Sequence, residues 1–174
     1  MFETLLSSTA LPNLHPAIVH YPIALLSVAF ALDLACLVAR SQVWLDRCAT
    51  LLYVLGTLSA CLAFISGQQA ADLMTEISGV TQAAMYGHED FAKLTLIVFG
   101  AISSLRLVVT WRARRDKKTK VGVLRVVALI GALVGQIVII ATADRGGELV
   151  YSHGLGVYGG ENVEEPADDE LLEP

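Results

Sequence analysis

Apolar residues dominate four stretches of this chain, roughly 17–39, 48–67, 91–110 and 121–143, and polar residues collect between them. Each stretch is long enough to cross a hydrocarbon core of about 30 Å as a helix, and each is bounded by charge, proline or glycine. The pattern predicts an all-α integral membrane protein whose four helices form a bundle. The connection 68–90, "QQAADLMTEISGVTQAAMYGHED", is too long for a tight turn and keeps a helical rhythm, which predicts a short helix on the outer surface. The opening "MFETLLSSTALPNLHP" carries Glu3 and no basic n-region, so it does not read as a cleavable signal, and its apolar patch is expected to lie along the interface. The closing "GGENVEEPADDELLEP" is acidic and has no basic residue, which reads as a disordered tail. A four-helix domain over 1–158 and a tail over 159–174 follow.

Composition agrees: 55% of the residues are hydrophobic and 17% charged, with a mean hydropathy of +0.60, well outside the soluble range. Charge then orients the bundle. Arg40, Arg47, Arg106, Arg112, Arg114, Arg115, Lys117, Lys118, Lys120 and Arg125 fall on one side of the four spans, and only Lys93 and Arg145 on the other. The positive-inside rule makes the richer side cytoplasmic and puts both termini outside, as expected of a multi-pass protein of a bacterial inner membrane. Trp44 and Trp111 mark the cytoplasmic ends; Tyr21, Tyr86 and Tyr151 mark the outer ends. The cluster "RARRDKKTK" then reads as a topology determinant facing anionic lipid rather than a nucleic-acid site.

Small residues at three- and four-residue spacing, Gly56, Ala60, Ala63 and Gly67 on the second span and Gly131 and Gly135 on the fourth, predict close helix packing in lipid. Cys36, Cys48 and Cys61 lie in or beside the first two spans with no CxxC or CxxCH, so they read as packed or lipid-facing thiols and not as a disulfide or haem-attachment framework. Asp33 lies about 10 Å into the bilayer from the cytoplasmic side, at 1.5 Å per residue. Arg106 and Arg125 come at comparable depth on other spans, so an ion pair of Asp33 with one of them is expected to hold helices together; a proton relay is the alternative use of the same groups.

All four histidines, His15, His20, His88 and His153, fall at the outer ends of spans. No HxxxH or HExxH spacing is present, so any ligand set must be assembled from different helices. His15 and His20 are separated by about 140° on a continuous helix and do not project together. With Pro16 opening the helix, His20 reads as the rigid ligand and His15 as a supporting or separate residue. Asp72, Glu76, Glu89, Asp90, Asp144 and Glu148 lie near enough in sequence to orient an imidazole.

Two of these stretches, "LHPAIVHYPIALL" and "RGGELVYSHGLGV", resemble a family of small bacterial membrane proteins known as domain of unknown function 2231, over about residues 13–158. His15, His20 and His153 match the histidines of its motifs, and His88 matches one expected before the third span. Tyr21 stands where phenylalanine is commoner. Asp144 and Arg145 stand where some relatives have a histidine before the paired glycines. Some relatives look fused to cytochrome-c-like modules, which implies electron transfer. Ligand chemistry and this context together favour a b-type haem protein, with one or two haems ligated by His15, His20, His88 and His153 and with His20 paired to His88 or His153. A zinc or copper site on three or four of these imidazoles is the alternative, and a cofactor-free accessory subunit of a membrane complex is a third reading. A cytochrome c or a dehydrogenase is the kind of redox partner implied, and self-association is left open. No catalytic residue is assigned: no nucleophile elbow, phosphate loop or dinucleotide fingerprint is present.

Overall fold

The computed structural model describes residues 14–39, 43–72, 74, 78–115 and 122–155. The interfacial patch before residue 14, the acidic tail, Glu76, Arg40 and the lysines at 117, 118 and 120 lie outside the described residues. Four helices are long and apolar enough to cross a membrane: α1 (His15–Val38), α2 (Val43–Asp72), α3 (Gly79–Arg115) and α4 (Gly122–Tyr151). Among the described residues there is no strand. Helix α1 is interrupted at Val19, between a first turn His15–Ile18 and the long segment His20–Val38. The cause is Pro22, which has no N–H to give to the carbonyl of Ile18.

The helices run past the apolar windows at the end where the histidines lie. Among the described residues of 68–90 there is no separate short helix: α2 continues to Asp72, and α3 begins at Gly79. The hydroxyl of Ser78 starts α3 by accepting the amide of Thr81 at 3.2 Å, an N-cap. No proline follows to stop the helix, and Gly87 alone costs only about 1 kcal/mol. The helical rhythm of that connection therefore belongs to the two spans themselves.

Helices α1 and α2 pack as one hairpin and α3 and α4 as another, with α2 against α3 and α1 against α4 closing the bundle. The core is Leu26, Ala29, Ala49, Tyr53, Phe99, Ile102, Ala132 and Ile139. Two glycines set the closeness of the hairpins. A Cβ on Gly56 would lie 2.6 Å from Leu26, and one on Gly135 would lie 2.7 Å from the Phe99 ring. Side-chain hydrogen bonds join the hairpins: Thr57 and Ser103 hydroxyls at 2.8 Å, and Gln136 donating to the Leu26 carbonyl at 3.2 Å. The outer surface is apolar, with Leu37, Leu58, Leu62, Ile130, Ile137 and Ile140 all exposed, as lipid contact requires.

The hairpins share one burial register. The buried residues of α1, Pro22, Leu26, Ala29 and Asp33, have the spacing of Thr95, Phe99, Ile102 and Arg106 on α3. Those of α4, Ala128, Ala132, Gly135 and Ile139, have the spacing of Ala49, Tyr53, Gly56 and Ala60 on α2. The glycine contacts obey the same register, since Gly56 receives Leu26 as Gly135 receives Phe99.

Candidate functional site

His15 stands at the first residue of α1, and its ring lies against Gly67 of α2, where a Cβ would come 2.9 Å from the ring carbon Cε1. Its Nδ1 is 3.1 Å from the Ser66 hydroxyl. That hydroxyl donates its own proton to the Ala63 carbonyl at 2.9 Å, so it accepts from the imidazole. Nδ1 thus carries the proton, which leaves the ring lone pair on Nε2.

His88 repeats this arrangement in the second hairpin. Its ring lies against Gly146 of α4, where a Cβ would come 3.1 Å from Cε1, and its Nδ1 donates to the Thr142 carbonyl at 3.0 Å. A carbonyl only accepts, so here too the lone pair is on Nε2. The Thr142 hydroxyl is tied to the Val138 and Phe91 carbonyls and to Thr95, which fixes the acceptor. Imidazoles held through Nδ1–H by a backbone carbonyl or hydroxyl are oriented for ligation through the other nitrogen.

The two rings meet edge to face across the bundle, with centroids 6.4 Å apart and planes at 77°. They share a cavity of about 850 Å³ whose walls include Phe64, Met74, Met85, Tyr86 and Leu149. This is the size and mostly apolar character of an organic-ligand pocket.

The other two histidines are placed apart. His20, expected as the rigid ligand, is exposed, and neither it nor His153 lines the cavity. His153 contacts the buried Thr81 hydroxyl at 3.2 Å. The wheel argument rightly separates His15 from His20. The backbone at Val19 stays helical, so His15 falls two turns before Pro22 on the buried face of α1 and its ring enters the notch at Gly67; the inner member of the pair is His15. Among the described residues no group of three or more His, Cys, Asp or Glu side chains is arranged to hold a metal ion. Among the described residues, the carboxylates expected to orient the imidazoles are exposed or turned to Lys93: Glu89 and Asp90 hold Lys93 at 2.9 and 3.5 Å, while Asp72, Asp144 and Glu148 are exposed. Ser66, Gly67, Thr142 and Gly146 do that work. Nothing in one pass along the sequence marks the serine or threonine, although the paired glycines of "RGGELV" belong to a quoted motif.

At the opposite end lies an ionic layer. Arg106, with only 3% of its side chain exposed, places Nη2 2.9 Å from Asp33 Oδ1 and 3.1 Å from Asp46 Oδ1. The Tyr53 hydroxyl donates to the second oxygen of Asp33 at 3.0 Å. Arg125 reaches Asp46 Oδ2 at 3.1 Å rather than Asp33, and 46% of its side chain is exposed. It sits near the start of α4, at the rim and not at the depth of Asp33. Asp46, absent from the sequence-based expectation, is the bridge between the two arginines. The three thiols are free, with Cys48 and Cys61 exposed on the outer surface.

A family model described as "Predicted membrane protein (DUF2231)" matches residues 11–159 of the chain. No curated protein and no solved structure matches it.

Proposed function

We propose, for a chain that belongs to the DUF2231 family of predicted membrane proteins, that it holds one b-type haem between His15 and His88 and passes electrons at that face of the membrane. The observation that carries this reading is the imidazole pair. Two imidazoles on one metal, each nitrogen about 2 Å from it, have ring centres roughly 6 Å apart; these are 6.4 Å apart. Both rings are fixed through Nδ1, which leaves the lone pair on Nε2, and the adjoining cavity of about 850 Å³ has room for a macrocycle. When bound, haem supplies one-electron chemistry. His15 and His88 would hold the iron, Ser66 and the Thr142 carbonyl would fix the ring orientations, and Phe64, Met74, Met85 and Leu149 would give the macrocycle apolar contact.

A single haem is favoured over two. His15 and His88 occupy the same position in the two hairpins, whereas the positions equivalent to His20 and His153 hold Lys93 and Met74. The ten-to-two division of basic residues supports placing the histidine end outside a bacterial inner membrane, where a cytochrome c or a dehydrogenase has access to it. A second reading, a copper site, is favoured by Met74 and Met85 in the same cavity, because thioether and imidazole together suit copper.

Absorption spectra of the purified protein, oxidised and then reduced, with elemental analysis of the same sample, test the proposal. A haem spectrum with one iron per chain supports it. A colourless protein with stoichiometric copper gives the second reading its place, and a protein with neither is an accessory subunit without a cofactor. Gly67→Ala should reduce haem occupancy several-fold without removing the protein from the membrane, because the added methyl meets the His15 ring at 2.9 Å. The haem-to-protein ratio of the variant checks this.

A further inference from the structure

We infer that the α1–α2 and α3–α4 hairpins are two copies of one module, and that the ionic layer dictates pairing: each inner face accepts a hairpin of opposite charge at the same register and rejects its own copy. The shared register extends beyond the core. Moving seventy-three residues along takes His15 to His88, Leu26 to Phe99 and Asp33 to Arg106; moving seventy-nine takes Asp46 to Arg125, Gly56 to Gly135, Ala63 to Thr142 and Gly67 to Gly146. The contacts map onto one another as well. His15 is tied to the Ala63 carbonyl through the Ser66 hydroxyl as His88 is tied directly to that of Thr142, and each ring sits on the corresponding glycine. Both hairpins begin at the same end of the bundle, so they are parallel repeats related by an axis along the membrane normal.

In such an arrangement residues near the axis face their own counterparts. His15 meets His88, Asp33 meets Arg106 and Asp46 meets Arg125. The histidines are alike on both sides, as a shared ligand site allows. The charges are opposite at both equivalent positions. A second copy of the first hairpin in place of α3–α4 would bring four carboxylates together, and a second copy of α3–α4 would bring four side chains that never lose their charge. At the buried level of Asp33 and Arg106 two like charges are not tolerable, and at the rim the second pair adds to the repulsion. The layer is thus a recognition element, in which repulsion in the wrong pairing supplies the specificity.

The test uses the full chain, with Tyr53→Phe in every variant so that no hydroxyl is left against an exchanged charge. Five forms are compared in detergent by size-exclusion chromatography and thermal unfolding: the parent, the half-exchanges Asp33→Arg with Asp46→Arg and Arg106→Asp with Arg125→Asp, the full exchange of all four, and a neutral layer of Asp33→Asn, Asp46→Asn, Arg106→Gln and Arg125→Gln. Each half-exchange should lose at least tenfold in monodisperse yield, and the full exchange should recover the parent's elution volume and most of its yield. The neutral layer should broaden into dimers and larger species. A full exchange no better than the half-exchanges, or a neutral layer as monodisperse as the parent, overturns the inference.

Discussion

Purified His15→Ala and His88→Ala proteins will be recovered from the membrane without the reduced haem spectrum of the parent, and His20→Ala will keep it. The ordering follows from geometry. Of the four histidines only His15 and His88 line the cavity, and each is fixed by an acceptor at about 3 Å. On the proposed reading, loss of either imidazole would remove one of the two that hold the haem, and no other histidine lines the cavity to replace it. His20 is exposed on α1, and its removal leaves that arrangement untouched. His153→Ala should also retain the spectrum, with a modest loss of stability from the contact with Thr81. A His20→Ala protein that loses its haem while His15→Ala retains it reverses the assignment.

The second large effect is on stability. Arg106→Leu should lower the unfolding free energy by about 3–5 kcal/mol, the usual consequence of removing one partner from a buried ion pair. This guanidinium serves two carboxylates at once and is almost wholly buried. Without it, Asp33 keeps only the Tyr53 hydroxyl, while Asp46 keeps Arg125. Asp33→Asn should cost distinctly less, because Arg106 retains Asp46 and the amide still accepts from Tyr53. Unfolding in detergent followed by circular dichroism compares the two; equal stability of Arg106→Leu and the parent would show that the layer contributes nothing.

The spans and their charge asymmetry are legible in the sequence because hydrophobicity and charge act locally, residue by residue. The polar ends of the helices are less so: the run from Gly79 to His88 looks like a surface segment by hydropathy, yet the backbone simply continues into the span. The depth of Asp33 identifies a carboxylate needing a partner, and Arg106 is the arginine on the facing helix at its level. Arg125 has a similar distance in sequence from the span's centre, but it lies at the rim, where Asp46 at the start of α2 is closer. The histidines show the limit most clearly. Which of His15 and His20 faces inward depends on the buried face of α1, which Pro22, Leu26, Ala29 and Asp33 define and His15 shares, and on a glycine of another helix, Gly67, that leaves room for the ring. The duplication escapes a single reading because the halves share few residue identities. What repeats is burial, with Asp33 and Arg106 as opposite charges at one position.

Electron paramagnetic resonance of the oxidised protein at low temperature tests the central claim most directly, because the low-spin ferric signal depends on the angle between the axial imidazole planes. With the rings of His15 and His88 at 77°, one strongly anisotropic low-spin signal per chain is expected, lost in either alanine variant. A high-spin signal, a rhombic signal typical of near-parallel planes, or no ferric haem signal at all would contradict a haem held between these two histidines.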